Sequence, residues 1–304
     1  MTLNRINFIL KKVRDNDVLY VRSPYFYLED NMKKIALIAG AVVAVLALTG
    51  CSKKQEAAKK GEFTVEAGKL KVAMEIGYPP FEYFAEDGKT PTGFDVELGK
   101  AVSERLGLSV EFVDTAWDGI LAGLDTDRYD CIMSAMTITD ERKANYDFST
   151  PYIGNGQAII LTKDSKLSIA APEDLKGLKV GYQAETTSDF YLEKYAAAHG
   201  FTYVQNEYDK VLNAYKDLEF GRIDAVISDS LVAVSYLGKP DTVFKQVWAG
   251  TPDDYFGVCV KKGNKALLDK INSAIADMKA DGTMAKIYMK IFNVDLSDSI
   301  KDVQ

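Results

Sequence analysis

The sequence predicts an α/β protein built as two similar lobes, and three observations carry that prediction. Between residues 69 and 133, apolar alternations and amphipathic stretches follow one another as β-α-β-α-β, the order that builds a mainly parallel sheet with helices against it. From residue 157 onward the same plan starts again. Polar residues collect at the carboxyl ends of the strands, where open α/β sheets take their ligands. The chain has 304 residues, 47% apolar and 27% charged, which supplies enough core-forming sequence for two lobes.

Order is expected from Gly68. Lys69 to Met74 alternates as a strand, broken by Gly77 and by Pro79-Pro80, which fix an extended turn. A second turn surrounds Asp87-Gly88, and Phe94 to Leu106 then repeats apolar residues at helical spacing until Gly107 stops it. Val110 to Val113 reads as a strand, Trp117 to Leu124 as a short amphipathic helix and Asp130 to Met133 as a strand. Gln157 to Thr162 and Lys179 to Tyr182 are strands separated by a turn at Pro172 to Gly177. Glu185-Thr186-Thr187-Ser188 opens a helix to Ala198, Tyr208 to Phe220 is amphipathic, and Ala225 to Ser228 is a strand ending at Asp229. After the strand Val258 to Val260, Asn264 caps a long helix, and a final helix runs from Thr283 to Phe292.

The first fifty residues stand apart. Met32-Lys33-Lys34 is a short positive head, Ile35 to Leu48 is an apolar run too short to span a membrane comfortably, and Leu48-Thr49-Gly50-Cys51 closes it. This is the three-part plan of a secretory signal over residues 32–50, and its ending resembles a bacterial lipobox, which implies lipidation of Cys51 and cleavage before it. Residues 1–31, with mixed charge and Pro24, have no place in such a signal and are expected to be an upstream extension preceding a true start at Met32. Ser52 to Lys60 is polar and Lys/Ala-rich, so residues 51–67 read as a flexible tether.

The chain holds 37 basic and 44 acidic residues, of which seven and four precede Cys51, so the remainder is acidic by about ten charges. Such a surface disfavours nucleic acid as a partner. Cys131 and Cys259 sit in apolar strands without a second cysteine or histidine at ligand spacing, so buried free thiols are expected, with neither metal nor cofactor.

Three strand ends are expected to converge on one crevice: Glu75 to Tyr78, Thr115 to Trp117 and Ser134 to Thr137. The third continues to Arg142. A carboxylate takes two parallel N–H donors from a guanidinium, with hydroxyl and main-chain donors on its remaining lone pairs, so Thr137 and Arg142 suit a small anion. The plainer reading is a surface turn in which Thr139 caps a short helix and Arg142 is solvated. Thr186 and Thr187 at a helix start offer further donors to an anion.

Six motifs in order carry a family resemblance. They are Tyr78-Pro79-Pro80-Phe81-Glu82, Gly93-Phe94-Asp95-Val96-Glu97-Leu98, the Met136 to Arg142 segment, Asp147-Phe148-Ser149-Thr150-Pro151-Tyr152, Asp174-Leu175-Lys176-Gly177 and Gly221-Arg222-Ile223-Asp224-Ala225. Over residues 69 to 293 the chain resembles the extracytoplasmic amino-acid-binding proteins of ABC transporters, the type II periplasmic binding proteins. The resemblance implies two Rossmann-like α/β lobes joined by a two-strand hinge, with lobe 1 formed by residues 69–154 and 255–295 and lobe 2 by 158–250.

It also implies a cleft that closes on a free amino acid. The ligand carboxylate would meet Arg142, the Thr137 hydroxyl and N–H groups near Ala135 and Thr137, on either side of Met136, with Thr186 and Thr187 answering from lobe 2, while main-chain oxygens near Ser134 or Ala135 would help hold the α-ammonium. Asp229 would pair the α-ammonium, Tyr78 and Trp117 would sandwich the side chain, and Glu75 would face either its distal end or a partner on the rim. The chain departs from the family at Glu185, where relatives carry glycine. A glutamate lacks glycine's ease in the left-handed region and adds negative charge beside the carboxylate site.

The implied function is a monomeric, membrane-tethered binding lipoprotein outside the cytoplasm that delivers a polar amino acid to an ABC permease. The ligand is a basic amino acid such as arginine or lysine, or cystine. Two other classes share the scaffold. One is a dehydratase acting through a cleft acid such as Glu75 or Glu185, with His199 the sole histidine; the other is a ligand-sensing module for a separate receptor.

Overall fold

A computed structural model of the protein describes residues 61–300. The expected upstream extension, signal peptide, Cys51 and the tether as far as residue 60 lie outside the described residues.

Strand β1 (Lys69–Met74) buries Leu70, Val72, Ala73 and Met74 completely. A hairpin of β2 (Tyr83–Phe84) and β3 (Pro91–Thr92) leads into helix α1 (Phe94–Arg105), which sends Phe94, Leu98 and Val102 into the core at helical spacing. The entry to α1 depends on Gly93. Its φ is 123°, and a Cβ there would run into the main-chain carbonyls of Phe81 and Pro80. Those two carbonyls accept the first helical amides, from Asp95 at 2.9 Å and Phe94 at 3.0 Å, so the turn and the helix are one unit.

Strand β4 (Ser109–Asp114), helix α2 (Ile120–Asp125), strand β5 (Cys131–Ile132), the short helix α3 (Asp140–Asn145) and strand β6 (Tyr146–Phe148) complete the first pass. Strand β7 (Ile153–Asn155) then carries the chain to a second sheet. That part contains β8 (Gln157–Thr162), β9 (Lys179–Gln183), α4 (Thr187–His199), β10 (Val204–Tyr208), α5 (Val211–Glu219), β11 (Ala225–Asp229), α6 (Ser230–Leu237) and β12 (Phe244–Ala249). The chain returns through β13 (Asp254–Phe256), antiparallel to β7, and adds β14 (Cys259–Lys261), α7 (Lys265–Ala280) and α8 (Thr283–Phe292).

The first sheet runs β4-β1-β5-β14-β6, the second β10-β9-β11-β8-β12. In each, the strands that point at the site are parallel: β4 and β5 beside β1, β10 and β11 beside β9. Helices α7 and α8, distant in sequence, pack on the first sheet. Phe94 of α1 stacks against Tyr288 of α8 at 5.4 Å and against Tyr152 at 5.7 Å. Ile271, Ile275 and Met278 of α7 are fully buried with them. Each such side chain is worth roughly 1.5–3 kcal/mol of burial.

The structure differs from the sequence reading at β10. Tyr208 belongs to a strand paired with β9, not to the amphipathic segment, and the helix starts at Val211. Val204 to Tyr208 is an edge strand with three exposed residues, so it shows no alternation that a sequence reader could find. Cys131 and Cys259 are both buried and free, on the adjacent strands β5 and β14. No helix of the described residues is long and apolar enough to cross a membrane.

Candidate binding cleft

Strands β1, β5 and β9 end on a common cavity between the two sheets, and β11 ends there with Asp229. The free volume inside it is about 10 Å³, so the facing side chains nearly fill it. Ten of the eleven residues expected at the site line this cavity. The exception is Met136, whose side chain is fully buried in a cluster with Ile120, Ile132 and Cys259. Its carbonyl accepts from Gly257 N–H at 3.1 Å, so neither its side chain nor its carbonyl is offered to the cavity.

From the first sheet, Arg142 reaches the cavity because Thr139 caps α3 and accepts from Arg142 N–H at 3.1 Å. The cap expected of the plainer reading is therefore present, yet the guanidinium is not solvated. It lies over the Trp117 ring at 5.4 Å, and its Nη1 donates to the Thr137 carbonyl at 2.9 Å. Burial lowers its proton affinity, but an arginine this far from neutrality stays charged. The Thr137 hydroxyl points across to that of Thr187, 3.2 Å away.

Main-chain donors on this side are fewer than expected. Ala135 sits in the left-handed region at φ 46°, and its N–H is taken by Asp95 Oδ2 at 2.6 Å. Ser134 is likewise engaged: its Oγ donates to Glu82 Oε1 at 2.7 Å and accepts from Glu75 N–H at 3.0 Å. Ser134 and Ala135 are thus held from behind by two buried acids. Burial pushes the Asp95 carboxyl up to about 7. Burial and the neighbouring Asp95 charge raise Glu82 well above the carboxylate range. Glu82 Oε2 and Asp95 Oδ1 are both buried without a hydrogen-bond partner.

From the second sheet, Asp229 ends β11 with 4% of its surface exposed. Its Oδ2 accepts from Tyr78 OH at 2.6 Å, across the cleft. Its Oδ1 accepts from Asn155 at 2.7 Å and Gln157 at 3.1 Å. Burial nevertheless pushes Asp229 up to about 6, against those three donors and with Asp254 adding to the rise. Thr186 spends its hydroxyl on the Gln183 carbonyl at 2.8 Å, while Thr187 begins α4 and faces Thr137. Glu185 adopts φ 58°, so this position requires the left-handed backbone even with glutamate in it. Its side chain is exposed and outside the cavity lining, which removes the expected negative charge from the site. Its carbonyl instead accepts from Trp117 Nε1 at 3.1 Å.

Glu75 is buried and lines the cavity, and it also forms an ion pair with Lys210. Its Oε2 accepts from Gln183 Nε2 at 3.0 Å, and its Oε1 lies 3.4 Å from Lys210 Nζ, outside hydrogen-bonding geometry. Burial raises Glu75, with Gln183 and Lys210 opposing. Sequence reasoning missed Glu82, Gln183 and Lys210. Gln183 stands at the carboxyl end of β9, so the strand-end rule that found Glu75 could have found it. His199, by contrast, stacks on Tyr195 at 4.0 Å on the exposed side of α4 and takes no part in the cavity.

Residues 70–294 match the family described as bacterial extracellular solute-binding proteins, family 3. The L-cystine-binding protein TcyJ of Escherichia coli K12 is 36% identical over 263 residues, covering 86% of this chain and 94% of that protein. ABC transporter arginine-binding protein 1 of the same organism is 35% identical over 225 residues, covering 73% of this chain and 89% of that protein. Among solved structures, an ancestral arginine-binding protein bound to arginine superposes with a TM-score of 0.70 at 42% identity, covering 74% of this chain and 98% of that one.

Proposed function

The chain belongs to the family 3 bacterial extracellular solute-binding proteins, and on that premise we propose that it captures a free polar amino acid between its lobes and delivers it to an ABC permease. The observation that carries this reading is the pairing, in one cavity, of Arg142 from the first lobe with Asp229 from the second. A zwitterion set between them places its carboxylate at Arg142, Thr137 and Thr187 and its α-ammonium at Asp229. Every charged group then has a partner, as a dry cleft demands. Tyr78 and Trp117 wall the space between.

The same geometry supplies a mechanism. Tyr78 to Asp229, Trp117 to Glu185 and Thr137 to Thr187 all cross from one lobe to the other. A ligand that touches both lobes binds only when they are together, so it draws the population toward the closed form, and the permease reads closure. The strands β7 and β13 are the crossings about which the lobes would turn. Lipidation of Cys51 would tether the domain at the membrane. The relatives are named as binding proteins rather than enzymes, and Glu185, one candidate proton donor, lies outside the cavity.

Isothermal titration with the free amino acids and cystine tests the reading. Binding of at least one polar amino acid is expected, abolished by Arg142→Ala while the melting temperature stays within a few degrees. Absence of heat from every amino acid, or undiminished affinity in Arg142→Ala, would overturn it.

A further inference from the structure

The family match ends at residue 294, yet the chain beyond it reaches one of the two crossing strands. Asn293 stops α8 in the left-handed region at φ 57°, and Leu296 packs against the same core as Ile287 and Tyr288 of α8. A short turn at Ser297–Ile300 then lies on strand β7. There the Gly154 N–H donates to Ser299 Oγ at 3.0 Å. Ser299 is itself fixed by the Leu296 carbonyl, which accepts from its hydroxyl at 2.6 Å and from its N–H at 2.9 Å. A Cβ at Gly154 would stand 2.2 Å from the Ser299 carbonyl, so only glycine admits the turn.

Both crossing strands change hands at one place. Leading into β7, Thr150 N–H donates to Asn272 of α7 at 2.8 Å, Lys279 of α7 donates to the Pro151 carbonyl at 2.9 Å, and Tyr288 of α8 donates to the Tyr152 carbonyl. Ser299 carries that hold on to Gly154. The next residue belongs to the other side: Asn155 donates to Asp229 at 2.7 Å and accepts from Leu231 N–H at 3.3 Å. On β13, the Tyr255 carbonyl accepts from Ile138 N–H at 2.8 Å, whereas Asp254 accepts from Gln157 at 3.0 Å. Gly154 pairs with Tyr255 and Asn155 with Asp254, so the two strands pass from one side to the other at the same rung.

We propose that the Ser297–Ile300 turn is a hinge strap: through Ser299 it holds Gly154 to the first lobe, confines bending to the step between the Gly154–Tyr255 and Asn155–Asp254 rungs, and so slows release of a captured amino acid. This rests on the binding reading above. Glycine is the softest residue of β7 and would otherwise be the natural pivot. With its N–H held and a carbonyl against its Cα, the bend passes to Asn155, whose side chain is bonded to Asp229 in the cleft. A narrower open ensemble leaves less freedom to lose on closing, which favours the ligand-bound form.

Two measurements test the strap. Spin labels at Glu104→Cys of α1 and Lys194→Cys of α4, both exposed, report the interlobe distance in the ligand-free protein carrying Cys51→Ser, since Cys131 and Cys259 are buried. Stopped-flow fluorescence reports the release of L-arginine and L-cystine. Ser299→Ala should broaden the distance distribution and speed release by roughly two- to tenfold, the range of one lost hydrogen bond, with the melting temperature nearly unchanged. A chain ended at Val294 should show the same effect or a larger one. A wild-type distance distribution in Ser299→Ala, or release that it does not alter, would overturn the strap while leaving amino-acid capture standing. If no amino acid binds, the binding reading falls, and the distance distribution, which needs no ligand, still supports or overturns the strap.

Discussion

Burial pushes the Asp229 carboxyl up to about 6, against hydrogen bonds from Tyr78, Asn155 and Gln157. An α-ammonium needs the ionised form, so below that pH each binding event must first expel a proton. The observed affinity should then fall about tenfold for each pH unit, at about 1.4 kcal/mol per unit. At pH 7 the penalty is negligible. At about pH 4, two units below the Asp229 value, it reaches about 2.7 kcal/mol, or roughly a hundredfold. Titration calorimetry from pH 4 to pH 8, in two buffers of different ionisation enthalpy, gives both the slope and the protons released. Asp229→Asn should bind weakly and lose the slope. A flat wild-type profile below pH 6 would refute the reasoning. So would an unchanged slope in Asp229→Asn, which would transfer the proton to Glu75 or Asp254, both also raised by burial.

Three further outcomes are expected. The Glu82–Asp95 pair has folded-state proton affinities above those of the unfolded chain, so its contribution is fully present below about pH 4 and lost as pH rises through about 7; thermal melts should show the wild type losing stability over that window and Asp95→Asn losing less. Gly93→Ala forces a Cβ against two carbonyls at a positive φ and should cost at least about 2 kcal/mol in urea unfolding. Glu185→Gly relieves a left-handed glutamate and should stabilise the protein by roughly 1 kcal/mol with ligand affinity kept, since that side chain is outside the cavity.

Much of the lobe architecture was readable because it is written in local patterns. The alternation of β1, the helical spacing of Phe94, Leu98 and Val102, and the polar residues after each strand all sit within a few neighbours of one another. The strand-end rule located Glu75, Thr137 and Asp229 for the same reason. What escaped depends on contacts between distant segments. Edge strand β10 has no periodic signal, and Lys210 meets Glu75 only because two lobes face each other. The claim of Asp95 on Ala135 N–H, which removes an expected ligand donor, is likewise invisible until the helix α1 is placed behind the loop. Met136 shows the opposite limit. A motif marks a segment, but which of its side chains turns inward is decided by the packing of Ile120, Ile132 and Cys259.

The buried carboxyls of Glu82 and Asp95 stand directly behind the two loop residues that would touch a ligand. Both are fully buried, so water does not compete for the hydrogen bonds they accept from Ser134 and Ala135. The wall of the cleft is thus set from the core side, so a change at either acid would be felt where a ligand sits without either acid needing to touch it.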